Sequence, residues 1–230
     1  MLLRLIEPTA GQVLFQGEDL LTLPPAAMRR KRRDIQIVFQ DPYASLDPRM
    51  SIARIIAEPL DIHGIGSKQE RAAKVRKLLS LVGLDPAAAE RYPHEFSGGQ
   101  RQRIGIARAI ALEPKLVVLD EPVSALDVSI QSQILNLLDD LKARLKLSYI
   151  FISHDLSVVQ HVSDRVAVMY LGRVVEEGEA GAVLGAPKHP YTQALLSAVP
   201  DIDPGKRKSH ILLPGDPPNP ENIPSGCAFH

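Results

Sequence analysis

A short apolar segment followed by two carboxylates constrains the fold of this chain more than any other feature. The run Leu116-Val117-Val118-Leu119 contains no polar side chain and leads directly into Asp120-Glu121-Pro122. An uninterrupted apolar run of this length is typical of a strand that is buried on both faces, as in the centre of a parallel sheet. The acidic pair is therefore expected at the carboxyl end of a central strand.

The segments that follow complete a βαβ pattern. Ser129 to Lys146 has helical periodicity, and Ser148 to Ile152 returns as a strand that leads into Ser153-His154-Asp155. Strand, helix and strand again predict an α/β fold with parallel strands. Such open sheets bind ligands beyond the carboxyl ends of their strands, so the acidic pair and His154 are expected at one ligand-binding edge.

Shorter patterns predict the remaining elements. Met1 to Ile6 is typical of the last turns of an apolar helix that Pro8 closes, and the capping box of Ser67 and Glu70 opens a helix that ends at Gly83. Hydrophobic period and turn residues predict further strands at 12–15 and 34–40, helices at 51–60 and 98–112, a hairpin at 165–177 and a short helix at 191–199. Residues 41–92 are interpreted as a helical insert.

Composition narrows the classes of partner. The 230 residues carry 27 Lys and Arg against 27 Asp and Glu, so no global positive field favours nucleic acid. The basic run Met28 to Arg33 could contact nucleic acid or lipid phosphate, but a solvated surface is favoured. No apolar stretch approaches the roughly 18 residues of a membrane span, and the first residues lack a signal-peptide pattern.

The end of the chain differs in composition from the rest. Nine of the 19 prolines fall in the 44 residues from Pro187 to His230, which predicts an extension outside the core. The single cysteine, Cys227, cannot form an internal disulfide, and this cysteine content is typical of a reducing cytoplasm.

Three groups of residues point to phosphate chemistry, each with a structural alternative. Ser97-Gly98-Gly99-Gln100 precedes a helix, where free N–H groups and the helix dipole favour an anion, although a simple turn explains it equally well. Asp120 could hold Mg²⁺ through water and Glu121 could deprotonate a water, or both could be an exposed pair at a strand end. His154 could be a solvated loop histidine.

These motifs together resemble an ATP-binding cassette (ABC) ATPase. The resemblance rests on segments similar to the Q-loop, signature, Walker B, D-loop and H-loop: Val38 to Pro42 with Gln40, Phe96 to Arg103, Leu116 to Glu121, Ser124 to Asp127, and His154. The chain is closer still to oligopeptide and dipeptide permease ATPases in three segments: Asp41 to Pro48, His189 to Leu195 and Pro224 to Cys227. The resemblance covers essentially the whole chain.

The resemblance implies a role for each matching residue. Glu121 and His154 are the implied catalytic residues, Glu121 as the base or water-positioning carboxylate and His154 at the γ-phosphate. Asp120 and Gln40 are implied at Mg²⁺, and Gln40 also senses the γ-phosphate. The residues implied to reach ATP or line the head-to-tail dimer interface are Ser97, Gly98, Gly99, Gln100 and Asp127.

The same resemblance implies an organisation and a set of partners. The expected fold is an incomplete α/β nucleotide-binding domain at 1–186, with a P-loop NTPase core sheet and a helical subdomain at about 41–112, followed by a Pro-rich extension at 187–230. The implied partners are transmembrane permease subunits that contact Tyr43 to Met50, a second ABC ATPase and, indirectly, an extracytoplasmic peptide-binding protein. The implied location is the cytoplasmic face of the cell membrane.

One family element has no counterpart in these 230 residues. Neither Gly64-Ile65-Gly66-Ser67-Lys68 nor Gly205-Lys206 has the spacing of the phosphate-binding loop Gly-x-x-x-x-Gly-Lys-Ser/Thr. Met1 is expected to fall inside the helix that follows that loop, and these 230 residues alone are not expected to hydrolyse ATP. In some relatives the Pro-Ser-Gly-Cys segment begins an iron–sulfur cysteine cluster, which the lone Cys227 does not predict.

The missing phosphate-binding loop leaves alternatives to a peptide-import ATPase open. One is a non-catalytic subunit whose Ser97 to Gln100 completes a partner's ATP site, and another is a soluble nucleic-acid or translation ATPase of the same cassette class. The balanced charge gives the second no support. The cargo could also be nickel, glutathione or another small solute, and the second ATPase could be identical or different.

Overall fold

The computed structural model describes residues 2–199, 211, 226, 227 and 229. The chain divides into two compact units, Met1–Ile152 and Ser153–His230. The first unit is mixed α/β, with a parallel sheet and a group of helices. The second is built on one hairpin.

A small hairpin and a short helix begin the first unit. Strands β1 (Leu14–Phe15) and β2 (Glu18–Asp19) pair antiparallel around a turn at Gln16 and Gly17, and helix α1 (Pro25–Lys31) follows. The basic run lies on and just after α1, and its side chains have structural partners. Arg32 donates to the carbonyl oxygens of Leu3 and Arg4, and Lys31 forms an ion pair with Glu18 at 2.6 Å.

The predicted helix at the start of the chain is wrong for the residues that the structure describes. Leu2 and Leu3 form a turn, and Arg4 has a φ of 47°, which breaks a right-handed helical backbone. The Arg4 guanidinium instead donates to the carbonyl oxygens of Leu20 and Leu23 at 3.2 and 2.7 Å. These tertiary bonds and the burial of Leu3 override the local apolar pattern.

Strand β3 (Ile35–Val38) leads into the helical insert, which contains the helices α2 (Ile52–Ile62) and α3 (Lys68–Leu81). The predicted capping box is present at the start of α3, where Ser67 and Glu70 bond each other's backbone N–H groups. After two short 3₁₀ turns, α4 (Gly98–Ile110) packs against α2 and α3. Fully buried aliphatic side chains fill the space between them: Ile52, Ile56, Leu79 and Ile104.

The predicted βαβ unit is confirmed. Strand β4 (Leu116–Asp120), helix α5 (Val128–Leu145) and strand β5 (Ser148–Ile152) follow in order, and β3, β4 and β5 form a parallel sheet with β4 in the centre. Val117, Val118 and Leu119 are buried, as expected for a central strand. The registers Val38 to Leu119 and Asp120 to Ile152 align the carboxyl ends of the three strands.

The second unit contains the predicted hairpin. Helix α6 (Leu156–Val162) precedes strands β6 (Arg165–Tyr170) and β7 (Arg173–Glu179), which turn at Leu171 and Gly172 with φ values of 45° and 75°. Helices α7 (Ala180–Gly185) and α8 (Pro190–Ser197) follow. Val166, Val168, Ala180 and Val183 form the buried cluster of this unit. Most of the predicted extension after Val199 lies outside the described residues.

Candidate functional site

Two predicted site residues meet at the carboxyl edge of the sheet. Val38 of β3 lies opposite Leu119 of β4, so the segments that follow these two strands leave the sheet side by side. Gln40 Nε2 donates a hydrogen bond to Glu121 Oε2 at 2.9 Å, although 81 residues separate them. The parallel register therefore joins the Q-loop-like segment to the acidic pair.

The backbone of Glu121 is in an unusual conformation. Its φ of 44° lies in the left-handed region that glycine favours, and its N–H donates to the carbonyl oxygen of Ile152 at 3.0 Å. Ser124 Oγ donates to the Glu121 carbonyl oxygen at 3.1 Å. These bonds hold a conformation that costs a non-glycine residue on the order of 1 kcal/mol, and they thereby fix the direction in which the Cα–Cβ bond of Glu121 leaves the backbone.

Asp120 is the last residue of β4 and is half-buried beside Glu121. Within the described part of the chain, no group of three or more His, Cys, Asp and Glu side chains could hold a metal ion. A single carboxylate with waters and substrate phosphates is how Mg²⁺ is commonly bound, whereas Zn²⁺ requires more protein ligands. The donor set at this edge therefore fits Mg²⁺ held together with a phosphate.

The glycine pair lies at the first two positions of α4. Ser97 is the N-cap, and Ser97 and Gln100 form a reciprocal capping box in which Ser97 N–H donates to Gln100 Oε1 at 3.0 Å. The amides of Gly98 and Gly99 are in the first turn, where the helix offers no backbone acceptor. Ser97 and Gln100 are exposed and Gly98 is half-exposed, whereas Gly99 is buried, so an anion can approach the Gly98 end of this turn from solvent.

Asp127 is placed next to this helix start by α5. Its carboxylate is the N-cap of α5 and accepts from the amide of Ile130 at 2.9 Å. A Cβ added at Gly98 would lie 3.5 Å from Leu126 Cδ2, so the signature-like and D-loop-like segments lie side by side. Both predicted interface segments are thus brought together in the first unit.

His154 lies in the second unit, two residues after the end of β5. Its side chain is exposed, and it precedes Asp155, the N-cap of α6. Its position relative to Asp120 and Glu121 stays a prediction. The glycines Gly64 and Gly66 lie between α2 and α3 and do not follow a strand, which agrees with their exclusion as a phosphate loop.

Two arginines of α4, to which the sequence motifs assign no role, hold the loop after Gln40 in place. The Arg101 guanidinium lies 3.9 Å from the centre of the Tyr43 ring, and Arg108 Nη1 donates to the Ser45 carbonyl oxygen at 2.6 Å. Burial lowers the pKa of Arg108, an effect that Glu58 opposes. Their spacing of seven residues, two helical turns, is the signal that could have placed both on one face.

Comparison with known proteins agrees with this architecture. Residues 1–124 match the ABC transporter family, and residues 175–230 match the C-terminal region of oligopeptide/dipeptide transporters. None of the described helices has the length and apolar character needed to cross a membrane.

Several relatives are similar over the whole chain. A Brucella ovis protein named for peptide import is 59% identical over 227 residues, 99% of this chain and 72% of that protein. The dipeptide transport ATP-binding protein DppF of Escherichia coli is 54% identical over 230 residues, 100% of this chain and 69% of that protein. The oligopeptide transport ATP-binding protein AppF of Bacillus subtilis is 53% identical over 232 residues, with 100% and 70% covered.

Two solved structures share the fold. The ATP-binding cassette MJ0796, a dimer in a post-hydrolysis state bound to ADP and Pi, has a TM-score of 0.67 and 30% identity, with 76% of each chain covered. CbiO1 of Clostridium perfringens, part of the transporter complex cbiONQ, has a TM-score of 0.71 and 28% identity, covering 80% of this chain and 72% of its own. The protein therefore belongs to the ATP-binding ATPase subunits of the ABC transporter family.

Proposed function

We propose that this protein is the ATP-binding subunit of an importer for dipeptides or oligopeptides, which couples ATP binding and hydrolysis to uptake. The observation that carries the proposal is the hydrogen bond between Gln40 and Glu121, because it joins two residues that the family resemblance places at the γ-phosphate and the attacking water. The peptide cargo is supported by the names of the relatives and by the match of residues 175–230.

The carboxyl edge of the sheet carries the chemistry of this proposal. Glu121 accepts a proton from the attacking water or orients it, and the Gln40 amide holds that carboxylate in place. Asp120 and Gln40 would hold Mg²⁺, which supplies positive charge at the phosphates. His154 contacts the γ-phosphate. Transition-state charge is stabilised at fixed positions, and this is how phosphoryl transfer is catalysed.

The start of α4 acts on a second molecule. Ser97, Gly98, Gly99 and Gln100 reach the nucleotide that a partner ATPase holds, and Asp127 lines the interface between the two cassettes. The exposed capping box supports this role, since Ser97 and Gln100 face solvent at a helix N-terminus, which favours an anion. Two bound ATP molecules then join the cassettes, and hydrolysis separates them.

The proposal includes the remaining partners and the domain division. Residues 1–186 form the nucleotide-binding domain, with its helical subdomain at about 41–112, and residues 187–230 form the transporter-specific extension. Permease subunits contact Tyr43 to Met50. Tyr43 is 60% exposed, and the guanidinium of Arg101 packs over its ring. The protein is then held at the cytoplasmic face of the membrane and acts with an extracytoplasmic peptide-binding protein.

Reconstitution tests the proposal directly. The subunit is assembled in liposomes with its permease subunits and second ATPase, and the binding protein is added with a labelled dipeptide or pentapeptide. We expect ATP hydrolysis that the loaded binding protein stimulates, together with accumulation of the labelled peptide. Nickel and glutathione are supplied in parallel as competing cargoes. ATP hydrolysis that drives uptake of one of these and of neither peptide would contradict the peptide assignment.

A second candidate is favoured by one specific observation. The helix start that would complete a partner's ATP site has its N-cap and its reciprocal capping box in place. The alternative is a non-catalytic subunit that serves the partner's nucleotide. In that case, turnover by the assembled complex is insensitive to Glu121→Gln in this subunit and remains sensitive to changes at Ser97.

A further inference from the structure

The second glycine of the Ser97 to Gln100 motif lies against α5 so closely that no side chain fits. A Cβ added at Gly99 would be closer than 3.0 Å to Ile130 Cγ2, a separation that real Cβ atoms essentially never show. The same addition at Gly98 meets Leu126 Cδ2 at an ordinary 3.5 Å. Gly99 is buried and Ile130 is half-buried, so this contact joins the beginnings of α4 and α5.

Ile130 is itself held in place. It lies in the first turn of α5, and its amide donates to the Asp127 carboxylate at 2.9 Å. Its branched Cβ restricts χ1 strongly in a helix, so the Cγ2 methyl has essentially one position relative to the N-cap. A displacement of Asp127 is thereby transmitted to the methyl group that touches Gly99.

We infer that Ile130 is a positioning residue for the nucleotide site: its Cγ2 methyl seats the Gly98-Gly99 backbone so that these amides and Asp127 are presented as one rigid surface. The inference rests on the proposed function, since it concerns the surface offered to the partner's ATP. Position 99 must then be a glycine because Ile130 leaves no room for a side chain, and not only because a phosphate approaches the backbone there.

A conservative pair of substitutions separates this role from general packing. Ile130→Val keeps a methyl at the Cγ2 position, whereas Ile130→Leu has the same size as Ile but no branch at Cβ. In the assembled transporter we expect Ile130→Val to hydrolyse ATP with the wild-type KM. Ile130→Leu is expected to raise the KM for ATP at least about fivefold, with kcat lowered less than about twofold, because bound nucleotide re-seats the glycines.

Ile134→Leu is the matched control, one helical turn further along α5 and fully buried. It makes the same change of branching in the core, so it changes thermal stability slightly and leaves the KM for ATP unchanged. If Ile130→Leu also left the KM unchanged, or if Ile130→Val raised it equally, the role given to the Cγ2 methyl would be overturned.

A suppressor experiment tests the close contact between Gly99 and Ile130 through thermal stability, independently of activity. Gly99→Ala collides with Ile130 Cγ2, but the Cβ of residue 130 would lie an ordinary 3.6 Å from the new methyl. Gly99→Ala is therefore expected to lower Tm by about 3 to 10 °C, as overpacking does in a chain of this size. The double variant Gly99→Ala with Ile130→Ala is expected to lie closer to the Ile130→Ala single variant.

The outcomes distinguish the inference from the proposed function. Suppose that the wild-type complex is active, but that adding Ile130→Ala to Gly99→Ala restores neither Tm nor turnover. This result would overturn the inference alone, since the approach of a phosphate would then explain why residue 99 is a glycine. A wild-type complex that neither hydrolyses ATP nor imports peptide would overturn the proposed function. Tm recovery in the double variant would then still show the contact, but its role at a nucleotide would be rejected.

Discussion

At the scale of single residues, Glu121 is held from both its backbone and its side chain. The left-handed φ of 44° is stabilised by the bond from its N–H to Ile152, and the carboxylate accepts from Gln40 at 2.9 Å. A glutamine at position 121 has the same shape and can still accept from the Gln40 amide. This substitution therefore removes charge and basicity while it preserves the local geometry.

Glu121→Gln is expected to lower ATP turnover of the assembled transporter by about 100-fold or more, because a positioned general base contributes roughly 10² to 10⁴ in rate. ATP binding is expected to change less than about twofold, since Asp120 is unchanged. Single-turnover hydrolysis and equilibrium binding of labelled ATP measure the two effects. The nucleotide-bound dimer should accumulate because separation requires hydrolysis.

The matched control is Glu90→Gln, the same change at an exposed residue of the 3₁₀ turn at Pro86–Glu90. Its turnover and ATP binding are expected to equal those of the wild type. Wild-type turnover by Glu121→Gln would show that Glu121 does not act on the water. It would then favour the second candidate, in which the partner's site supplies the chemistry.

The residues of the site differ in how far the sequence predicts them. The meeting of Gln40 with Glu121 follows from two neighbouring parallel strands, of which β4 is predicted by its apolar run and β3 by its alternating pattern. The positive φ of Glu121 and the contact of Ile130 with Gly99 are not predictable in this way. Both depend on the distance between elements that are remote in sequence, which a one-dimensional pattern does not contain.

At the scale of elements, local signals predict the helices and strands whose ends they mark. The capping box of Ser67 and Glu70 starts α3 where expected, and the apolar run of β4 becomes the central strand. The opening segment fails because Arg4 bonds carbonyl groups some 16 to 19 residues away, which no local pattern encodes. Helices α6 and α7 are short, so their hydrophobic period is too brief to detect.

Helix α8 is anchored to β7 through a charged group. Glu176 of β7 accepts from the amides of Lys188 and His189 at 2.8 and 3.0 Å, just before the helix begins. Burial alone would raise the pKa of the Glu176 carboxyl, but these hydrogen bonds outweigh it and hold the pKa below its ordinary value. An ionised carboxylate at a helix N-terminus also interacts favourably with the helix dipole.

The depressed pKa of Glu176 predicts a pH-dependent contribution to stability. Since the folded form binds the proton less tightly than the unfolded form, the contribution is complete above the ordinary pKa of 4.5 and is lost as the pH falls through the lower folded value. Glu176→Gln is expected to lower Tm by about 1 to 3 °C at pH 7, and the difference should shrink steadily as the pH falls below 4.5. Thermal unfolding at pH 3.5 to 7 measures it.

Glu177→Gln provides the comparison, because the neighbouring Glu177 is exposed and pairs with Arg165 at the surface, where ion pairs contribute little. Its Tm is expected to stay within about 1 °C of the wild type at pH 7. A Glu176→Gln difference that is as large at pH 3.5 as at pH 7 would show that the ionised carboxylate does not anchor α8.

At the scale of the whole molecule, the residues proposed to act on ATP lie in two different parts of the first unit. The sheet edge carries Asp120 and Glu121, whereas the exposed start of α4 carries Ser97 and the glycine pair. Under the proposed function, the first acts on the subunit's own nucleotide and the second on that of the partner. A change that alters charge at α4 but not its folding therefore tests the assembly.

Ser97→Asp is such a change. Aspartate caps helices as well as serine does, so α4 keeps its N-cap and Tm is expected to stay within about 2 °C of the wild type. The added negative charge stands where phosphate oxygens are expected, and turnover by the assembled complex should fall at least about 100-fold. Ser67→Asp, the same substitution at the capping box of α3, should leave turnover unchanged. If both aspartate variants hydrolyse ATP equally well, the start of α4 does not reach a nucleotide and its assignment to the partner's site is wrong.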